Sequence, residues 1–224
     1  MGESDQASER AAPNDPAERL AAASGCNLLV VGPPMSGKRS FGLSVLGGAA
    51  GNGRDVLVVT AARSLTSLPF DPASAGRFGV VDCTPNSVDE DGPVVNVGSP
   101  GDLTGVSMPV SRFLDRTEDP VVLLDSVSSV LQYADQESTF RFLSVLTSSV
   151  ARDGGVGLYT FDEGVHPEST YRTFSQLFDG LVELRDGTSG PGSGAGDGGP
   201  PGTTEVRVSG LAGRPNEWVR VDLD

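Results

Sequence analysis

Residues 27–40 read NLLVVGPPMSGKRS, and their order decides the fold. Asn27 to Val31 is a short, apolar, β-branched run with no polar face, as a strand covered on both sides requires. It breaks at Gly32-Pro33-Pro34, and a helix is expected from Gly37 to about Leu46. Gly32 to Lys38, GPPMSGK, matches GxxxxGK between that strand and that helix. Glycines let successive N–H groups turn inward around phosphate oxygens, the helix N-terminus adds its dipole, and the lysine reaches the β/γ-phosphates. Chance alone supplies the pattern about 0.02 times in a chain of this composition, before any flanking strand or helix is required. Lys38 is the only lysine present. The candidate phosphate-binding residues are Gly32, Pro33, Pro34, Met35, Ser36, Gly37, Lys38, Arg39 and Ser40.

Outward from this loop, apolar runs alternate with amphipathic segments. DVLVVT (Asp55 to Thr60) and FGVVD (Phe78 to Asp82) read as buried strands. Residues 84 to 106 read as irregular, with a short extended piece around Val94 to Val97. A helix is expected from about Met108 to Arg116, where Pro109 fits only the first turn. PVVLLD (Pro120 to Asp125) is the next strand. Ser138 to Arg152 is helical, with Phe140, Leu143, Leu146 and Val150 on one apolar face. VGLYTF (Val156 to Phe161) and LVELR (Leu181 to Arg185) are strands on either side of a helix marked by Tyr171, Phe174, Leu177 and Phe178. After a Gly/Pro/Ser-rich loop over 186–203, read as flexible, TEVRVSG and EWVRVDL alternate apolar with polar residues, as an antiparallel hairpin does. The expectation is one α/β domain over 25–224, a three-layer sandwich with a mostly parallel sheet and a C-terminal antiparallel hairpin. An acidic, mobile tail with room for one helical turn, 1–24, precedes it, with order beginning at Asn27.

Lys38 in its loop and VVLLDSVSSVL after it resemble the RecA/KaiC group of P-loop ATPases. More narrowly, GPPMSGKRS, VVDCT, GDLTGVSM and VVLLDSVSSVLQY are similar to the small KaiC-like, signalling-associated (HTR-like) proteins of halophilic archaea. The resemblance implies ATP as ligand, with Mg2+ held or oriented by the carboxylate that ends a strand, here Asp125.

Two departures weaken the hydrolytic reading. A P-loop places Ser or Thr directly after its lysine to coordinate magnesium, and here that residue is Arg39. Ser40, one residue on, is rotated by about 100° around the helix. Arg39 therefore either points to solvent or brings a fixed positive charge to the phosphates in the ion's stead. Second, the catalytic glutamate of RecA and KaiC relatives lies just beyond the strand after the P-loop helix. That stretch here is VLVVTAARS, and Thr60, Ala61 and Ala62 offer no general base. Asp82, Asp162 and Glu163 follow other strand ends and are candidate substitutes. His166 reads as a loop residue. Arg141, Arg152 and Arg172 are candidate arginine fingers, with ordinary surface pairing as the stronger reading.

Composition bounds the partners. Thirty acidic against 16 basic residues give a net charge of −14, which opposes a broad footprint on nucleic acid or anionic lipid. Few lysines and many acids match the surface of proteins that stay hydrated in concentrated salt. Cys26 and Cys83 form no CxxC and read as buried thiols. The polar N-terminus has no signal-peptide pattern, no run spans a bilayer, and the expected location is the cytoplasm. The leading expectation is a nucleotide-binding regulatory protein with weak or absent hydrolysis, acting through self-association or a signalling partner. The alternatives are an active ATPase with a non-standard base, an interaction module that has lost its ligand, and, least favoured by charge, a recombinase-like DNA binder.

Overall fold

The computed structural model describes residues 15–65, 67–85, 93–187, 204–211 and 216–223. Among the described residues nine strands form one sheet: β1 (Cys26–Gly32), β2 (Val56–Thr60), β3 (Phe78–Asp82), β4 (Val94–Asn96), β5 (Val121–Asp125), β6 (Val156–Asp162), β7 (Gly180–Asp186), β8 (Thr204–Ser209) and β9 (Trp218–Val221). Their spatial order is β4-β3-β2-β5-β6-β1-β7-β8-β9. Pairing is parallel from β4 to β7 and antiparallel from β7 to β9. The hairpin and the mostly parallel sheet are as the apolar patterning predicts.

β1, β2 and β5 are buried at every residue, which explains why their sequences carry no polar face. Alternate residues feed two cores. Leu28, Val30, Val58 and Leu123 pack against α1 (Pro16–Ala21) and α2 (Lys38–Gly51). Leu29, Val31, Val59 and Leu124 pack against α3 (Leu103–Leu114), α5 (Gln136–Arg152) and α6 (Glu168–Ser175) on the other face. A short helix, α4 (Val127–Val130), leads away from β5. At the C-terminal edge Trp218 is stacked by Arg185 and Arg207, their Cζ atoms 3.9 and 4.7 Å from the ring centroid. Those arginines pair with Glu205 and Glu183.

Four expectations are corrected. Residues 16–21 are not tail: α1 buries Pro16, Ala17, Leu20 and Ala21 and is capped by Asp15, while residues 1–14 lie outside the described residues. α2 runs to Gly51, because Val45, Leu46, Ala49 and Ala50 are buried and sustain it past Gly47-Gly48. α3 begins at Leu103 because the Asp102 carboxylate accepts from the Gly105 N–H at 2.8 Å. Pro109 thus sits in the helix interior, where its missing N–H deprives the Gly105 carbonyl of its usual donor. α6 spans Glu168–Ser175, so Leu177 and Phe178 pack from the turn after it. The loop read as flexible lies mostly outside the described residues.

Burial places one polar cluster in the middle of the sheet. The Tyr159 hydroxyl donates to Asn27 Oδ1 at 2.9 Å, and Asn27 Nδ2 donates to the Thr147 carbonyl at 3.0 Å. Burial also holds the Cys83 thiol up at about 12, beside the charges of Asp82 and Asp102. Tyr159→Phe leaves a buried oxygen without that donor and is expected to cost about 1–3 kcal/mol in chemical denaturation. A loss below about 0.5 kcal/mol would show that the Asn27 oxygen finds another partner.

Candidate functional site

β1 delivers the chain to the carboxyl edge of the sheet at Gly32, where the backbone is crowded. A Cβ there would lie 2.6 Å from both the Leu184 carbonyl and Ser36 Oγ, so only glycine passes. Pro33, Pro34 and Met35 then arch outward, with Met35 fully exposed, and the Ser36 N–H closes a turn on the Pro33 carbonyl at 3.2 Å. Gly37 takes φ +87°, the left-handed region that favours glycine, and caps α2 without any side-chain hydrogen bond. The first N–H groups of α2 have no acceptor within the helix and point, with its dipole, into the loop. The result is a loop from Gly32 to Gly37 that arches to the start of α2 and forms the candidate cradle.

Lys38 is buried and folded back into this cradle. Its ammonium donates to the carbonyls of Gly32 (2.8 Å) and Pro33 (2.5 Å) and pairs with Asp162 at 3.0 Å. Asp162 ends β6 and stands opposite Gly32 in the β1–β6 register. Its position is clamped on both sides: its N–H donates to Ser128 Oγ at 2.9 Å, and the Glu163 N–H donates to the Gly32 carbonyl at 3.0 Å.

Arg39 does not point to solvent. Its guanidinium reaches the ends of β2 and β5, donating to Asp125 Oδ2 (2.8 Å), Thr60 Oγ1 (3.3 Å) and the carbonyl of Arg63 (3.1 Å). The other Asp125 oxygen accepts from the Thr160 hydroxyl at 2.8 Å. Arg39 and Asp125 side chains are only 17% and 10% exposed, so this ion pair is largely withdrawn from water. A magnesium ion does not fit this donor set. The hydroxyl that would bind it is replaced by a cation, that cation lies 2.8 Å from Asp125, where it repels a divalent ion, and Ser40 faces the groove beside α2. No sequence signal identified Arg39 as the partner of Asp125, since the two are 86 residues apart and meet where α2 packs on β5.

The remaining candidates separate. Asp82 is buried and consumed by its own turn, accepting from the Thr84 N–H (2.8 Å) and hydroxyl (2.7 Å). Glu163 is exposed on the rim of a cavity of about 690 Å³ that Pro33, His166 and Trp218 also line. The His166 ring packs on Phe161, centroids 5.2 Å apart. Arg141, Arg152 and Arg172 form surface pairs with Glu137, Asp153 and Glu168. On the opposite side of the loop a groove of about 1350 Å³ is bounded by Arg39, Ser40, Arg63, Tyr133 and Leu223. Leu223 also approaches Gly37 so closely that a Cβ there would lie 2.8 Å from its Cδ1. That contact, made by the end of the hairpin, has no signature in the local sequence.

Residues 25–184 match a family of unknown function (DUF7504). The chain belongs to this family. No curated protein matches in sequence. In structure the chain is similar to the flagellar accessory protein FlaH from Methanocaldococcus jannaschii, with a TM-score of 0.59 at 14% identity over 87% of this chain and 83% of that one. The likeness shows the fold alone: DUF7504 here is a RecA-like α/β domain. No helix among the described residues is long and apolar enough to cross a membrane.

The Arg39–Asp125 pair is testable by a double-mutant cycle. Arg39→Ala and Asp125→Ala each leave a partly buried charge without its partner and are expected to cost about 1.5–3 kcal/mol. The double variant should lose less than the sum by about 1 kcal/mol or more. Strict additivity in denaturation would mean the two residues do not interact.

Proposed function

We propose that this protein is a nucleotide-binding regulatory member of the RecA/KaiC-like class, with ATP the ligand its sequence resemblance implies, and with turnover slow or absent. One observation carries the reading: a complete GxxxxGK cradle, with its lysine buried and aimed inward, coexists with an arginine on the carboxylate that would otherwise serve a metal ion. Phosphates would be held by the N–H groups at the start of α2 and by Lys38. Arg39 would supply fixed positive charge where a P-loop ATPase uses magnesium.

Slow turnover is supported by what stands at the end of β2. Thr60 accepts from Arg39 and donates to the Arg63 carbonyl, and the N–H groups of Ala61 and Ala62 point to the Asp125 carbonyl. No residue there can take a proton from water. Asp162 is a candidate base at the loop, but its carboxylate is bound to Lys38 at 3.0 Å. The output would be a change of shape or of affinity for a signalling partner or a second copy, in a protein whose acidic surface suits concentrated salt and the cytoplasm.

Calorimetry in molar KCl tests this with ATP and ADP. Wild type should bind, Lys38→Ala should lose at least about tenfold in affinity, and phosphate release should stay near background. A Lys38→Ala variant that binds as well as wild type would end the reading. Turnover that disappears in Asp162→Asn would replace it with an active ATPase using that base.

A further inference from the structure

We infer that the site takes a nucleoside diphosphate in preference to a triphosphate, and that Asp162 sets this choice. The inference rests on the nucleotide-binding reading above and specifies its ligand.

The strand order makes the argument. β6 lies between β1, which carries the loop, and β5, which carries Asp125. The end of β6 therefore meets both groups: the Thr160 hydroxyl donates to Asp125 at 2.8 Å, and Asp162, two residues on, pairs with Lys38 at 3.0 Å. In P-loop proteins the backbone cradle holds the α- and β-phosphates, and the terminal phosphate lies farther out, beside the lysine, where a metal bridges it to the β-phosphate. Here that outer place is bounded by two internal ion pairs. Lys38 faces the Asp162 carboxylate at 3.0 Å, and the Arg39 guanidinium faces Asp125 at 2.8 Å. Each cation of the loop thus has its own carboxylate.

The lysine's donors show which phosphate fits. An ammonium has three hydrogens, and the near acceptors around Lys38 are the Gly32 carbonyl, the Pro33 carbonyl and Asp162, with Ser36 Oγ farther off at 3.4 Å. A β-phosphate oxygen can replace one of the neutral carbonyls and gain the unpaired N–H groups of α2. A γ-phosphate must either displace the carboxylate or sit against it, like charge on like charge, in a partly buried site where such repulsion is poorly screened. No divalent ion is at hand to offset it, because the Arg39 guanidinium stands beside Asp125 and repels one. Asp162 cannot withdraw with its strand, since Ser128 and the Gly32 carbonyl fix the backbone on either side of it. A protein of this design responds to the diphosphate fraction of the nucleotide pool.

The test is calorimetry of ADP and ATP in molar KCl with EDTA, on wild type, Asp162→Asn and Asp162→Ser, with melting temperatures to establish folding. Wild type is expected to bind ADP about tenfold or more tightly than ATP. Asp162→Asn, isosteric and uncharged, is expected to raise ATP affinity by about that factor and cancel the preference, with Asp162→Ser changing it in the same direction. Equal affinities in wild type, tighter ATP binding, or a preference that survives both substitutions would overturn the inference while leaving nucleotide binding intact. Absence of binding to either nucleotide would overturn both.

Discussion

The ion pair between Arg39 and Asp125 organises the carboxyl edge of the sheet. It joins the first turn of α2 to the ends of β2 and β5, and it draws Thr60 and the Arg63 carbonyl into the same cluster. Because both partners are withdrawn from water, neither is free to leave without the other being left uncompensated. An arginine cannot lose its charge at any ordinary pH, so the cation at this position is permanent. A metal ion in a P-loop site arrives with the nucleotide and departs with it. Here the positive charge belongs to the chain, and the site's electrostatics no longer depend on what the solvent supplies.

A second ion pair completes the arrangement. Lys38 and Asp162 meet at the end of the β1–β6 pairing, where Asp162 stands directly opposite the crowded Gly32. Together the two pairs bring two cations and two carboxylates to the loop, so it rests near neutrality, and under the proposed function the α2 N–H groups would supply the attraction for an entering anion. This balance sits within an acidic protein, whose net charge of −14 disfavours polyanionic partners outside such a cradle.

Much of the fold was legible because parallel central strands must be apolar on both faces. β2, β3 and β5 are recognisable from VLVVT, FGVVD and VVLLD alone, and the hairpin from its alternation. The helix boundaries were less legible, since α3 starts at a cap, Asp102, inside a stretch that is otherwise irregular by composition, and the stability of α2 past two glycines comes from tertiary burial. In the site, the cradle itself follows from a local pattern. The partners of Lys38 and Arg39 do not, because Asp162 and Asp125 are brought to them by strand order, over separations that no local spacing encodes. The sequence shows that magnesium's usual hydroxyl is gone; only the assembled sheet shows where the arginine that replaced it points.

Under the proposed function Arg39 stands in for the metal ion. The most direct test is nucleotide affinity measured by calorimetry as a function of magnesium, in wild type and in Arg39→Thr, which restores the hydroxyl after the P-loop lysine. Wild-type affinity is predicted to be the same with magnesium and with EDTA, and the Arg39→Thr variant to bind only when magnesium is present. Wild-type binding that requires magnesium, or an Arg39→Thr variant indifferent to it, would contradict the claim.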